Sequence, residues 1–250
     1  MAIHKTEAIV LKRFEFGETS MIANFYTLDF GKLSGILKGI RNQPEKFASS
    51  LEPFSYNEIV FYKKRDSLHF ISQCDIKNNF DSLRQDIIKV GIASLIMELI
   101  DALMPEEEQN QEIFKLTLDS LKELMITNNP YKIAIIFKIK ILALSGFKPH
   151  LDSCVLCQQK ILTQTRFSFK FGGLLCKRCS YKDPKSRSVF RGTVASILHI
   201  EKNDLKNNLN LGMNFQIKKE LELILDMFLN FHLEKELKSQ RFLNKLSLTS

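Results

Sequence analysis

The sequence predicts an α+β protein: a small antiparallel β-barrel, then a mainly helical region into which a four-cysteine module is inserted. Three observations carry this reading. Through residues 6–77, apolar side chains alternate in short runs broken by turn residues, the period of half-buried strands. From Asp81 onward they recur every three or four positions, the period of helices. Between Cys154 and Cys179 stand two C-x2-C pairs with eighteen residues between them.

The strands come first. Thr6 to Phe16 is rich in β-formers (Ile9, Val10, Leu11) and stops at Gly17. Met21, Ala23 and Phe25 alternate with Ile22, Asn24 and Tyr26, and Asp29-Phe30-Gly31 reads as a turn. Leu33, Gly35 and Leu37 then face one way, with Lys32, Ser34 and Lys38 facing the other. Asn57 to Tyr62 and Leu68 to Cys74 make two further strands, joined by the charged turn Lys63-Lys64-Arg65-Asp66. Short strands in this number suit a small barrel. Gly39 to Ser50 is polar and basic, too long for a hairpin turn, and is expected to be a functional loop.

The helices follow. Ile92, Leu95, Ile96, Leu99 and Leu103 form one apolar stripe, which Pro105 ends. Glu106-Glu107-Glu108 is expected to open the next helix, where negative charge suits the N-terminal dipole. Its stripe is Phe114, Leu118, Leu121 and Met125, closed by Asn128-Asn129-Pro130. Residues 131–145 are apolar on most faces and predict a central buried helix, stopped by Gly146 and Pro149. After the cysteines, Thr193–Ile200 predicts a short helix, Asn203–Gly212 a polar loop, and 213–237 a long helix. The expected domains are 1–80 and 81–250, with the cysteine module at about 151–192.

A C-x2-C pair lets two sulfurs reach one ion from a tight turn. Two such pairs at this separation supply the four ligands of a tetrahedral Zn²⁺ site: Cys154, Cys157, Cys176 and Cys179. The alternatives are disulfides or four buried thiols. The N-terminus has no apolar leader, and no apolar run approaches the ~18–20 residues of a membrane span. The expectation is therefore a soluble, cytoplasmic protein whose thiols stay reduced, which favours metal over disulfides. Four cysteines fill a tetrahedron and leave no open position, so the metal is expected to be structural. His150 could substitute as a ligand, and Cys74 reads as a small core residue.

Charge sharpens the picture. The chain carries net +8, and residues 151–192 hold nine Lys/Arg against two Asp/Glu, net +7. A basic module of this kind points to a polyanion, most often nucleic acid. Lys12, Arg13, Lys32, Lys38 and Arg41 lie on or beside the polar face of the predicted barrel, with Phe14, Phe16 and Tyr26 in the same strands. Small barrels bind single strands with cationic grooves and stacking aromatics, although most of the 20 Phe must serve the core. No Gly-rich phosphate loop, G-x-S-x-G or H-E-x-x-H motif occurs, so no catalytic constellation is expected.

Several segments, in order, carry a resemblance. They are Thr6-Glu7-Ala8-Ile9-Val10-Leu11, Gly17-Glu18-Thr19-Ser20, Gly31-Lys32-Leu33, Lys38-Gly39-Ile40-Arg41 and Leu51-Glu52-Pro53-Phe54. Then come Glu98-Leu99, Pro105-Glu106, Ser145-Gly146-Phe147-Lys148-Pro149, the two cysteine pairs with Gly172-Gly173-Leu174-Leu175 before the second, and Leu237-Lys238-Ser239 with Arg241-Phe242-Leu243. Together they make the chain similar to the RecO family of bacterial DNA-repair and recombination mediators. The resemblance implies an N-terminal OB-fold joined to a helical domain bearing a four-cysteine zinc module. It also implies binding to single- and double-stranded DNA, annealing of complementary strands, and work with RecR to load RecA onto strands coated by SSB, partly through the SSB C-terminal tail. Lys38 and Arg41 fall on the basic motif associated with DNA contact in that family. After Arg41 the chain runs Asn42-Gln43-Pro44, less basic than is usual there. The competing reading is a zinc-containing protein-interaction adaptor whose DNA binding is incidental. The cysteines are expected to staple a basic lobe onto the helices, with the Lys38–Arg41 edge the better site for direct DNA contact. The +7 of residues 151–192 leaves two roles open for the lobe: a scaffold with a basic face, which is favoured, or a second DNA surface.

Overall fold

The computed structural model describes residues 2–40, 51–64, 68–161 and 165–249. Its strands are β1 (Ile3–Phe16), β2 (Ser20–Thr27), β3 (Gly31–Leu37), β4 (Tyr56–Tyr62), β5 (Leu68–Asn78), β6 (Thr165–Ser168), β7 (Gly173–Leu175) and β8 (Arg187–Val189). Its helices are α1 (Ile87–Leu103), α2 (Gln111–Ile126), α3 (Pro130–Leu144), α4 (Arg191–Lys202), α5 (Leu205–Leu209), α6 (Phe215–Leu233) and α7 (Lys238–Thr249). The chain divides into two compact units, one of residues 1–134 with 237–250 and one of residues 135–236.

In the first unit, β1 to β5 close into a barrel in the order β1-β2-β3-β5-β4, the five-stranded Greek key of an OB-fold. Long β1 serves two neighbours: its first half pairs with β4 and its second with β2, with a register shift between Val10 and Lys12. Such a bulge bends the strand so that one segment can belong to both sides of a small barrel. Inside lie Ala8, Val10, Ala23, Phe25, Leu33, Ile59, Phe61, Ile71 and Cys74, so the alternation places the core as expected. All five predicted strands are present. The barrel is not wholly antiparallel, however, because β3 and β5 close it in parallel, Ser34 opposite Leu68 and Ile36 opposite Phe70. A period of two is the same in both orientations, so the alternation carried no signal for this pairing.

The outer face is the informative one. Tyr26 is buried there, its ring stacked on Phe114 of α2 at 6.5 Å and its hydroxyl donating to the Asn110 carbonyl at 3.3 Å. Helix α1 starts at Asp86, whose carboxylate accepts from the N–H groups of Ile88 and Lys89, and ends before Pro105 as predicted. Helix α2 does not open on the three glutamates. It begins at Gln111, capped by Asn110, and residues 106–108 instead lie against the barrel. The Glu107 N–H donates to the Lys32 carbonyl at 2.8 Å, and Glu107 pairs with Lys63 at 2.7 Å and with His69 at 3.4 Å. The hydrogen bond from Lys63 holds the Glu107 carboxyl below the usual range. Burial pushes His69 below its ordinary value despite that carboxylate, so the imidazole is neutral at pH 7.

Gly31 is where this clamp comes closest. Its φ is +66°, and a Cβ there would sit 2.1 Å from the Glu108 carbonyl oxygen. Gly31→Ala is expected to lower the urea midpoint by more than ~1 kcal/mol of stability, with the slope unchanged.

Helix α7 went unpredicted, because few apolar residues mark it. The first unit holds it against α1: the N–H groups of Lys238 and Ser239 each donate to the Glu98 carboxylate at 2.9 Å, satisfying otherwise orphaned helix donors. Gly91 of α1 leaves room for Leu243, which a Cβ would meet at 2.7 Å.

In the second unit, residues 135–144 of α3 form the buried centre that the apolar run predicts. Lys138 is only 3% exposed, and it survives burial through an ion pair with Asp226 of α6 at 2.5 Å. Strands β7, β6 and β8 make a small sheet in that order. Phe167 of β6 packs edge-on against Phe228 of α6 at 5.8 Å. The predicted long helix is α6, and the polar loop before it contains the short helix α5. Among the described residues no helix is long and apolar enough to cross a membrane.

Candidate metal centre and nucleic-acid interface

The sequence itself shapes two knuckles. In the first, the Gln158 N–H returns to the Cys154 carbonyl at 2.8 Å, with Gln158 in the left-handed region, and the Cys154 N–H donates to the Gln159 carbonyl. In the second, the N–H groups of Cys179 and Ser180 both reach the Cys176 carbonyl at 3.0 Å. Val155 N–H to the Leu174 carbonyl (2.8 Å) ties one knuckle to the strand entering the other, and Arg178 donates to the Gln159 side chain at 2.6 Å.

These turns bring the sulfurs of Cys154, Cys157, Cys176 and Cys179 within 4.8 Å of one another. The Cys157 and Cys176 sulfurs are 3.8 Å apart. Zinc–thiolate bonds of ~2.3 Å set a tetrahedral edge of about 3.8 Å, whereas a disulfide requires about 2.05 Å. None of the cysteines is disulfide-bonded. Thiols so crowded cannot ionise independently. Burial pushes the Cys154 thiol up, but donation from the backbone N–H groups of Cys176, Cys157 and Leu156 outweighs it and brings Cys154 down to about 6. Burial and the three neighbouring sulfurs push Cys179 up to about 12. A divalent cation at the centre would resolve the conflict by stabilising all four thiolates, so the donor set fits a metal ion. His150 is no ligand: its Nε2 lies 2.8 Å from the Ser153 hydroxyl. Cys74 is a buried member of the barrel core.

The five predicted basic residues have different surroundings. Lys32 is 8% exposed, its ammonium donating to the Asp101 carbonyl at 2.9 Å and lying 3.5 Å from the Glu106 carboxylate. Lys12 pairs with Asp101 at 2.8 Å, and Arg13 with Glu52 at 2.6 Å. Lys38 is exposed in the turn after β3 and has no ion-pair partner among the described residues. Arg41 and residues 42–50 of the expected functional loop lie outside the described residues, as do residues 65–67 of the second charged turn. So Lys32 is built into the contact between barrel and helices, while Lys38 is available to a ligand.

The aromatics divide in the same way. Tyr26 is inside, whereas Phe14 and Phe16 are each 50% exposed, and the Lys12 ammonium lies 5.7 Å from the Phe14 ring centre. Register places Phe16 opposite Ser20, and Met21 opposite Leu37, so Phe16 and Lys38 share one end of the barrel. Strand spacing puts them on the order of 10 Å apart, about the reach of one or two nucleotides. Sequence reasoning missed the acidic clamp at 106–108. Its signal was three glutamates directly after Pro105, which suited a helix start equally well.

Comparison with known proteins decides the family. The model described as "Recombination protein O N terminal" matches residues 1–80, and "Recombination protein O C terminal" matches residues 84–241. The chain belongs to the RecO family. It is 33% identical to the "DNA repair protein RecO" of Syntrophus aciditrophicus over 254 residues, covering 98% of this chain and 96% of that one. The RecO proteins of Caldicellulosiruptor bescii (32% over 238 residues, 95% and 96% covered) and Alkaliphilus metalliredigens (33% over 224, 88% and 90%) are similarly related. The N-terminal match spans the barrel, and the C-terminal match spans most of the helical region together with the clustered cysteines.

Proposed function

We propose that this RecO-family protein is a cytoplasmic recombination mediator. It binds single- and double-stranded DNA at the open end of its barrel, anneals complementary strands, and works with RecR to load RecA onto SSB-coated DNA, engaging the SSB tail through its helical residues. The observation that carries the DNA reading is the contrast among the barrel cations: Lys12, Arg13 and Lys32 are paired internally, while Lys38 stands exposed at the same end of the barrel as the half-exposed Phe16. Annealing then needs no catalytic group. A cationic surface displaces counterions and lowers the repulsion between two phosphate backbones, and exposed rings hold unpaired bases. In this reading residues 1–80 carry the DNA contact and 81–250 the partner contacts, with 151–192 as a zinc lobe.

The four cysteines hold one Zn²⁺ that cross-links the two knuckles and has no open coordination position, so it supports folding rather than chemistry.

The decisive experiment is strand annealing on SSB-coated DNA, with and without RecR, comparing the parent chain with a Lys38→Glu, Arg41→Glu double variant. The double variant is expected to lose annealing while keeping its melting temperature; normal annealing would favour the adaptor reading. For the parent chain, ~6–10 phosphate contacts predict a ~10³–10⁵-fold loss of DNA affinity between 50 and 200 mM salt, independent of sequence. A flat titration would sink the DNA reading altogether.

A further inference from the structure

Of the barrel cations, Lys12, Arg13 and Lys32 are paired within their own chain; those of the cysteine lobe's second half are not. Residues 177–191 carry six: Lys177, Arg178, Lys182, Lys185, Arg187 and Arg191. All six are exposed, and none has an ion-pair partner among the described residues. The stretch contains a single acid, Asp183, and it is turned inward. Asp183 is 6% exposed, accepting from the Ser168 hydroxyl at 2.5 Å and from the Lys185 N–H at 3.1 Å. At the far end of the segment the Glu220 carboxylate accepts from the Phe190 N–H at 3.0 Å.

The backbone is held for this display. The second knuckle runs directly into a 3-10 turn at Ser180–Lys182, and β8 then joins the sheet edge on β6, with Arg187 and Ser188 exposed. Arg166 locks the intervening loop by donating to the Ser186 hydroxyl at 2.9 Å. Tyr181 lies in the 3-10 turn, 73% exposed, and Phe190 is 49% exposed at the far end. Pure scaffolding gives no reason to expose a large aromatic ring among unpaired cations. A surface that neutralises phosphates and stacks a base needs both. An acidic peptide would use the cations but has no need of the ring.

We propose that residues 177–191 form a second contact surface for single-stranded DNA, with Lys182, Lys185 and Arg187 on phosphates and Tyr181 stacked on a base. This rests on the reading that the protein binds DNA, and it assigns the cysteine lobe a direct part in that binding. The net +7 of residues 151–192 fits either a scaffold with a basic face or a second DNA surface, and the pairing pattern favours the second surface.

The test is a Lys182→Glu, Lys185→Glu, Arg187→Glu variant, checked for one zinc per chain, and a separate Tyr181→Ala variant. Losing three phosphate contacts should weaken single-strand binding on the order of 10–100-fold and make the log–log salt slope shallower by about 2. Tyr181→Ala should weaken binding with the slope unchanged. A metal-loaded triple variant with parental affinity and slope overturns the proposal, as does one that loses only an acidic peptide. Should the triple variant misfold, photo-crosslinking of the parent chain to a 5-iodouracil strand decides: adducts at Tyr181 support the proposal, and adducts confined to barrel peptides overturn it. A parent chain that fails to bind DNA at all would count against the broader reading instead.

Discussion

A chain with Cys154, Cys157, Cys176 and Cys179 all replaced by serine will contain no zinc, and residues 150–190 will become the first site of proteolysis. The parent chain, prepared without chelator, will carry about one zinc per molecule. The reason is the thinness of this lobe. Its buried apolar side chains are few, chiefly Leu151, Phe167, Leu174, Leu175 and Val189, and they lie among short strands of three or four residues. Structural zinc binds zinc-finger peptides with an apparent ~10–16 kcal/mol at neutral pH, comparable to the ~5–15 kcal/mol that stabilises a whole domain. If the four cysteines hold zinc as proposed, losing the ion removes most of what orders the knuckles. With the metal absent the four thiols cannot all ionise: backbone N–H donors bring Cys154 down to about 6, while burial and the neighbouring sulfurs push Cys179 up to about 12. Protons compete with the metal for the thiolates, so zinc retention will fall as pH is lowered. Limited proteolysis and metal analysis of the two chains check this. A metal-free variant that resists protease like the parent would show that packing alone holds the lobe.

What was legible in the sequence follows from the range of the interaction involved. The cysteine centre is encoded in spacing: two residues between sulfurs force a knuckle, and the partner pair follows on the same small sheet. The barrel core is nearly as local, since Ala23 and Phe25, or Leu33 and Leu37, declare their side by alternation and glycines mark the turns. Whatever depends on a distant partner was hidden. Alternation placed Tyr26 and Lys32 on the outer face correctly, but an outer face is polar only if nothing covers it. Here residues from Asp101 to Phe114 do. The same coverage explains the glutamates at 106–108, whose partners Lys32, Lys63 and His69 lie more than thirty residues upstream. Helix α7 offered the weakest signal: its dock depends on Glu98 and on the missing side chain of Gly91, features of α1 rather than of its own sequence.

This coverage separates two lysines that the sequence had grouped together. Lys32→Glu is expected to destabilise the first unit severely, and Lys38→Glu hardly at all. At position 32 the substitution removes an ammonium bonded to the Asp101 carbonyl and puts a carboxylate in a site only 8% exposed, facing the solvent-exposed Glu106. Only the lysine side of this pair is buried, so the cost comes from leaving the Asp101 carbonyl without its donor, about 1–3 kcal/mol, and from forcing a carboxylate into a desolvated position. The denaturant midpoint should fall with the slope retained, and DNA binding should persist in whatever fraction remains folded, with an unchanged salt dependence. At position 38 the side chain stands in solvent, so the midpoint should stay at the parental value while DNA affinity drops and the salt slope becomes shallower by about 1. Measuring both variants by urea unfolding and by salt titration of DNA binding tests the assignment in both directions. If Lys32→Glu folds with parental stability but binds DNA weakly, the helices do not seal the outer face in solution, and Lys32 belongs with the DNA-contacting residues. If Lys38→Glu loses stability instead of affinity, the turn after β3 is structural and the open end of the barrel is not the DNA site.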